Sequence, residues 1–264
     1  HKLVSGSWMV AAVRMLAYHT DFRARRLGKR DSRLALGNAL IGRLRHSLLD
    51  QGVPLLLEHT VKALIEQSGR VAGVVAKRAD GTETRIAARK AVILAAGGFP
   101  RNKTLRAAHL PNPTDTEWSA ASPQNTGDAI AMAQALGAGV DLMEDAWWTP
   151  VTRIPKSYPA WALVVEKSLP GSILFNAVSQ RFVNEASPYL DVVKAMYKGD
   201  AVPICWMVFD AQFRKQYPVG PVAPGYAQPD SRLRKRFLEG FLRKGQTLAE
   251  LAARIELDPV ALEQ

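Results

Sequence analysis

Residues 91–96, which run directly into Gly97-Gly98, constrain the fold more than any other feature of this sequence. All six residues of this run, Ala-Val-Ile-Leu-Ala-Ala, are apolar, which is typical of a β-strand buried on both faces. Such strands belong to parallel sheets, whose ligands bind beyond the carboxyl ends of the strands. The run therefore predicts an α/β fold with a ligand close to Gly97 and Gly98.

The rest of the hydrophobic pattern alternates helices with short strands. Apolar side chains recur at helical spacing in 8–20 and 34–50, and Gly52 follows where helices commonly end. The pattern predicts further helices at 126–138, 232–243 and 247–255 and from Asp258 onward. It predicts strands at 54–58, 60–66, 69–77, 83–88, 173–176 and 204–210. The Asp80-Gly81 turn joins two of these strands into a β-meander, so the fold class is α/β or α+β.

After about residue 140 the character of the sequence changes. Trp and Pro are frequent between 146 and 171, and the periodicity is poor. This composition predicts a second domain with irregular walls that covers a site. The sequence contains no apolar run of about 18 residues that would span a bilayer and no signal-peptide pattern, and a cytoplasmic location is the simplest interpretation.

The net charge of +11 asks for an explanation. Basic residues cluster within 23–33 and again within 232–236, and such clusters can bind nucleic acid or an anionic membrane surface. Solvated helix faces are the favoured interpretation, because no nucleic-acid-binding motif accompanies either cluster. Cys205 stands alone among apolar neighbours and the five His residues lack ligand spacing, so neither a disulfide nor a metal site is expected.

Three motifs carry candidate chemistry, and each has a structural alternative. Gly97-Gly98 permits close approach to a cofactor, or simply forms a tight turn. Thr126-Gly127-Asp128 opens a helix whose amides can bind an anion, or is an ordinary capping turn.

The third motif places Arg181, Glu185 and Tyr189 around a Ser187-Pro188 step. The fixed charge of an Arg stabilises an anion such as deprotonated tyrosine. The alternative is a structural ion pair between Arg181 and Glu185 beside a packed Tyr189.

The order and spacing of these motifs resemble the flavoprotein family of fumarate reductases and 3-ketosteroid dehydrogenases. Besides the three motifs, the matching pieces are Gly37-Asn38-Ala39-Leu40, Gln51-Gly52-Val53 and Gly69-Arg70-Val71-Ala72-Gly73-Val74. The resemblance covers nearly the whole chain. It implies a Rossmann-like FAD-binding domain with an inserted, mobile substrate domain.

By this resemblance, residues 1–141 are part of the FAD-binding domain and 142–264 are an incomplete substrate domain. Val61 corresponds to the position whose backbone meets the adenine. The remaining cofactor neighbours implied by the resemblance are Ala96, Gly97, Gly98, Thr126, Gly127 and Asp128. The family's Gly-x-Gly-x-x-Gly loop and C-terminal part are missing from the sequence, so we expect a fragment of a protein about twice as long, which binds FAD weakly when isolated.

The residues after Asn184-Glu185 decide the branch of the family. Fumarate reductases carry an Arg close to this point, whereas this sequence continues with Ala-Ser-Pro-Tyr. The resemblance is therefore to the steroid branch, in which Tyr189 is the general base, FAD accepts hydride, and Arg181 or Glu185 sets the protonation of Tyr189 or orders the loop. The expected substrate is a small apolar ketone such as a steroid. Two alternatives are a reductase of unsaturated acids and a non-catalytic basic binding module.

Overall fold

The structure is a computed structural model that describes residues 6–19, 22, 26, 34–154, 160–198 and 203–263. Helices and short sheets are mixed along the chain, which agrees with the predicted fold class. Two compact units are present: His1–Lys62 with Val74–Ala87, and Ala63–Gly73 with Ala88–Gln264. These units divide the chain differently from a boundary at residue 141, which stays a prediction.

Two predicted helices are present near the start of the chain: α1 spans Gly6–His19 and α2 spans Leu36–Asp50. At the end of α2, Gly52 has a φ of 65° and donates its N–H to Leu49 O, while Val53 donates to Leu48 O. This double hydrogen bond is the Schellman motif that the Gly at this position predicts.

The predicted meander is confirmed. Strands β1 (His59–Gln67), β2 (Arg70–Arg78) and β3 (Glu83–Ala87) form a sheet in the order β1-β2-β3. Gly81 has a φ of 90° in the turn between β2 and β3, and its N–H donates to Arg78 O. The Asp-Gly pair thus forms the hairpin turn that the sequence predicts.

Two predicted strands are wrong. Residues 54–58 and 91–96 have no strand structure, and within the described part of the chain no backbone hydrogen bond joins either segment to another strand. The 91–96 run is also exposed rather than buried, with Ile93 88% accessible. An apolar run becomes a strand only when neighbouring strands pair with its N–H and C=O groups, so the pattern alone was insufficient.

Two short helices of the second unit follow residue 96: α3 (Lys103–His109) and α4 (Asp128–Gln134). Helix α4 begins two residues later than predicted and has no side-chain cap, because Gly127 occupies the N-cap position in the left-handed conformation. At its other end Gly137 has a φ of 83° and donates to Gln134 O, which is typical of a glycine that terminates a helix.

The later part of the second unit holds the buried cores. Its strands are β4 (Val151–Thr152), β5 (Trp161–Ala162), β6 (Ser172–Asn176) and β7 (Cys205–Phe209), which pair antiparallel as β4-β5 and β6-β7. Its helices are α5 (Tyr189–Met196), α6 (Ala211–Gln216), α7 (Lys235–Gly240), α8 (Leu248–Ile255) and α9 (Pro259–Glu263). Phe175 of β6 packs with Ile255 and Leu262, and a second cluster joins Ile154, Val222, Leu233 and Phe237.

The predicted helix at 232–243 is shorter than expected, because Asp230–Arg232 form a 3-10 turn and α7 begins only at Lys235. The basic cluster within 23–33 lies outside the described residues except for Arg26. In the part of the chain that the structure describes, no helix combines the length and apolar character that crossing a membrane requires.

Candidate active site

The two glycine-containing segments predicted to lie near a cofactor contact each other. The N–H of Gly127 donates to Gly98 O over 3.1 Å. Gly97 and Gly127 have φ values of 80° and 82°, a region that favours glycine. A Cβ on Gly97 would lie 2.9 Å from Asn125 Oδ1, and one on Gly127 would lie 2.9 Å from Leu105 Cδ1. Glycine at both positions is therefore what lets the segments meet.

Gly98 is open on its outer side. The residue is exposed, and the nearest atom to a Cβ built on it would be Pro100 Cδ at 3.8 Å. A flat ring can therefore approach the backbone here without meeting a side chain. This feature fits the proximity to a flavin that the sequence predicts for Gly98.

Asn102 and Arg101 brace the glycine segments. Asn102 Oδ1 accepts from the Leu105 N–H and caps α3, while Asn102 Nδ2 donates to Thr126 O, both over 3.0 Å. The backbone N–H of Arg101 donates to Asn125 O. The Arg101 guanidinium donates to the carbonyl oxygens of Thr116, Ser119 and Ala121. The loop before α4 is therefore held by hydrogen bonds from both Asn102 and Arg101.

The other predicted cofactor neighbours are placed as follows. Thr126 Oγ1 donates to Asp128 Oδ1 over 2.8 Å at the start of α4. Ala96 is exposed at a bend before Gly97, and Val61 lies half-buried in β1. The cofactor roles of Ala96, Thr126, Asp128 and Val61 stay predictions.

Arg181 and Glu185 form a two-point ion pair. Arg181 Nε and Nη2 donate to Glu185 Oε1 and Oε2 over 3.1 and 2.7 Å. The Leu174 N–H of β6 donates to the same Oε1 over 2.9 Å. Glu185 is 7% exposed, whereas the Arg181 side chain is 57% exposed. The pair therefore fastens the 181–185 segment to β6.

Electrostatics keep this carboxylate ionised. Burial acts to raise the pKa of Glu185, but the hydrogen bonds from Arg181 and from the Leu174 N–H, with the charge of Arg181, lower the pKa below its usual value. Within the described residues, neither Arg181 nor Glu185 is hydrogen-bonded to Tyr189. Their catalytic role stays a prediction, and the geometry is that of a loop-ordering pair.

Lys167 holds the same loop from another side. It lies in the 3-10 turn Glu166–Ser168 and is only 2% exposed. Its Nζ donates to Glu185 O over 2.8 Å, to Ser187 O over 2.7 Å and to Ser168 Oγ over 3.0 Å. All three ammonium hydrogens are therefore used, which offsets the cost of burying the charge.

Tyr189 is the first residue of α5 and is half-buried. Trp147 Nε1 donates to Tyr189 Oη over 2.8 Å. Because an indole nitrogen can only donate, the phenol oxygen is the acceptor in this bond. Tyr189 thus presents an oxygen whose position is fixed by a neighbour.

Tyr197, directly after α5, differs from Tyr189. Its hydroxyl donates to Pro113 O over 3.3 Å. Burial raises the pKa of Tyr197, and the charge of Arg106 opposes this only in part. Tyr197 therefore keeps its proton and is a poor candidate for a base.

A cavity of about 340 Å³ lies beside the C-terminal end of α5. It is lined by Pro111, Leu142, Glu144, Trp148, Lys194 and Tyr197, together with Asp145. Tyr189 does not line this cavity, so we do not assign the cavity to the substrate.

The sequence did not point to Trp147, Lys167 or Asn102. The bond from Trp147 to Tyr189 joins positions 42 apart, and no periodicity reports such a pairing. Lys167 gives no signal, since its burial depends on carbonyl groups from a distant loop. Asn102 could have been found, because Asn is a preferred N-cap residue ahead of a helix.

Known proteins give an independent comparison. The FAD binding domain family matches residues 15–258. The 3-oxosteroid 1-dehydrogenase of Mycolicibacterium smegmatis is 37% identical over 238 residues, which cover 85% of this chain and 40% of that protein.

Solved structures extend the comparison. The 3-ketosteroid delta1-dehydrogenase of Sterolibacterium denitrificans, in complex with 1,4-androstadiene-3,17-dione, is 41% identical with a TM-score of 0.89, over 97% of this chain and 47% of that one. The open conformation of a flavocytochrome c3 fumarate reductase is 25% identical with a TM-score of 0.59, over 88% of this chain and 38% of that one.

This chain therefore spans less than half the length of each of these proteins. The family match includes the glycine segments at 97–98 and 126–128 and the loop that leads into Tyr189. The resemblance that the motifs indicate is confirmed, and the chain belongs to the FAD binding domain family of flavoprotein oxidoreductases.

Proposed function

We propose that the protein carrying this chain is an FAD-dependent dehydrogenase that introduces a carbon–carbon double bond next to the ketone of a 3-oxosteroid. The observation that carries the proposal is Tyr189, whose oxygen is fixed as an acceptor at the start of α5. The residues between Glu185 and Tyr189 are Ala-Ser-Pro, without an Arg. Similarity to two ketosteroid dehydrogenases supports the proposal.

Exposed apolar side chains suit an apolar substrate. Val164 and Val165 are exposed in the Trp-rich stretch, and Leu190 is exposed on α5. Apolar walls with few polar groups are typical of sites for flat hydrophobic ligands. A dicarboxylate would instead call for several cationic groups.

The cofactor would be FAD, which when bound supplies a hydride acceptor at its flavin N5. Gly97 and Gly98, with Ala96 before them, would lie beside the flavin, because the outer side of Gly98 is open. Residues 126–128 would flank them through the Gly98–Gly127 hydrogen bond. The Val61 backbone would meet the adenine.

Tyr189, acting in its deprotonated form, removes a proton from the carbon next to the ketone, and the proton ends on its oxygen, which becomes a neutral phenol. The adjacent carbon loses hydride, which bound FAD would accept, so two C–H bonds break and one C=C bond forms. Arg181, Glu185 and Lys167 hold the loop that leads into α5, which keeps Tyr189 in place during this transfer.

The Tyr189→Phe variant tests the proposal. We expect ketosteroid turnover of the FAD-loaded protein to fall by about 10² or more, because the general base is removed. Tyr197→Phe is the matched control and should retain turnover, since the Tyr197 hydroxyl is bonded to Pro113 O. Near-normal dehydrogenation by Tyr189→Phe would remove this residue from the base role.

A reductase of unsaturated acids is the second candidate, favoured by the likeness to the flavocytochrome c3 fumarate reductase. The two are distinguished by asking which substrate exchanges electrons with the protein. Oxidation of the reduced protein by fumarate-like acids, without reduction of the oxidised protein by ketosteroids, would favour the reductase.

We also propose a cytoplasmic location, which suits a chain whose single cysteine forms no internal disulfide. Fractionation of the native host with compartment markers tests this proposal.

A further inference from the structure

We propose that Trp147 is a positioning residue for the candidate base Tyr189; this inference rests on the proposed function. The observation is the 2.8 Å hydrogen bond from Trp147 Nε1 to Tyr189 Oη. It joins the irregular Trp-rich stretch to the first residue of α5.

Burial does not explain where Trp147 lies. The side chain is 82% exposed, so it gains little hydrophobic stabilisation at this position. The hydrogen bond to Tyr189 is the contact that gives its indole a defined orientation. Apolar packing alone would not direct the indole N–H of Trp147 towards the phenol oxygen of Tyr189.

The turn that carries Trp147 is itself anchored to α5. Asp145 Oδ1 accepts from the Ala146 N–H over 2.9 Å and from Trp148 Nε1 over 2.7 Å. Asp145 Oδ2 lies 3.7 Å from Lys194 Nζ near the end of α5. The turn is therefore attached near both ends of the helix that begins with Tyr189, so Trp147 is well placed to fix Tyr189 Oη.

The bond also has a chemical consequence. A donor on the phenol oxygen stabilises the negative charge that the oxygen carries when it is ready to take a proton. The same donor occupies one acceptor direction and leaves another for the substrate. Trp147 thus acts through Tyr189 and makes no bond change of its own.

The first experiment compares Trp147→Phe with a matched control in the FAD-loaded protein. Trp118→Phe is the same substitution at a half-buried Trp whose indole makes no hydrogen bond among the described residues. Turnover is measured on a ketosteroid with hydrogen or deuterium at the carbon next to the ketone. For Trp147→Phe we expect kcat to fall on the order of tenfold at nearly constant KM, since one hydrogen bond is lost.

The isotope effect distinguishes positioning from a general structural defect. In Trp147→Phe proton removal becomes slower, so the deuterium effect on kcat should increase, whereas Trp118→Phe should leave both quantities unchanged. An unchanged kcat and isotope effect in Trp147→Phe would overturn the proposal. A raised KM with normal kcat would also overturn it, because Trp147 would then only bind substrate.

The second experiment observes the hydrogen bond without turnover. In nitrogen-labelled protein, Tyr189→Phe should shift the indole N–H resonance of Trp147 and leave that of Trp118 in place. A stationary Trp147 resonance contradicts the proposal even if Trp147→Phe fails to fold. An active Tyr189→Phe variant would instead refute the proposed function, so the two failures are distinguishable.

Discussion

At the residue scale, Glu185 lies in a motif that predicts catalysis but makes the contacts of a structural residue. Its position in a reactive-looking motif predicts chemistry, yet its oxygens are occupied by Arg181 and by the Leu174 N–H of β6. A carboxylate with this many donors is stabilised in its charged form and is costly to protonate. Its contribution is therefore to the order of the loop before Tyr189.

This role makes a prediction about acid stability. Because the pKa of Glu185 is lowered in the folded state, its stabilisation is present above the usual glutamate value of about 4.3 and is lost as the pH falls through the folded-state value. Glu185→Gln should lower the free energy of unfolding by about 1 kcal/mol at neutral pH and by less in acid. Urea titration across a pH series measures both.

Glu250→Gln is the matched control for this experiment. Glu250 also pairs with an Arg four residues away, Arg254, over 2.6 Å, but the pair is exposed. Exposed pairs contribute little to stability, so the control should change the unfolding free energy less. An equal loss in both variants would show that the burial of Glu185 is unimportant.

Single residues also mark the limit of prediction from sequence. Gly97 and Gly127 could be predicted as points of close backbone approach, because the absence of a Cβ has a local consequence that is evident from the sequence motif. Lys167 and Trp147 could not be identified, since their partners lie 18 and 42 positions away and depend on how the loops fold. The side chains that position Tyr189 and its loop are thus the ones that could not be predicted from the sequence.

At the element scale, helices with local signals were predicted best. Thr247 caps α8 by accepting from the Glu250 N–H, and Gly52 terminates α2 in a Schellman motif, as their sequences indicate. Residues 91–96 were predicted wrongly because a strand depends on partners that a pattern does not contain. Helices satisfy their own backbone groups, and strands do not.

The glycine pair that follows this run gives an element-scale prediction. Gly97→Ala should destabilise the protein by about 2 kcal/mol, because its φ is 80° and a Cβ would press on Asn125. Gly98→Ala meets no such obstacle, so its melting temperature should stay unchanged while FAD affinity falls. Thermal melting and flavin fluorescence titration of both variants, made in the protein that carries this chain, separate the two effects. Unaltered FAD affinity in Gly98→Ala would show that the flavin does not approach this residue.

At the scale of the whole molecule, this chain aligns with 40% of one ketosteroid dehydrogenase and 47% of another. The α/β class, the meander and the family were predictable from the ordered motifs. The exposure of residues 91–96 was not predictable. Because this run pairs with no strand among the described residues, the Gly97-Gly98 segment is held through its contacts with Asn125 and Gly127.

We therefore expect the 264 residues expressed alone to bind FAD weakly. The glycines that we propose to lie beside the flavin are held by hydrogen bonds on one side, while residues 91–96 before them pair with no strand in the described part of the chain. Flavin fluorescence titration of the purified 264-residue chain should show no stoichiometric binding. A yellow preparation with one flavin per chain would contradict this expectation.

The buried ammonium of Lys167 has one more consequence. It bonds the carbonyl oxygens of Glu185 and Ser187, so the turn Glu166–Ser168 and the approach to α5 must shift together. Loops without regular structure usually position a proton-transfer group imprecisely, and small displacements of a reacting group slow the reaction. Here the two hydrogen bonds from a single cation to backbone carbonyls restrain an irregular stretch of chain, next to the residue where the proton would be taken.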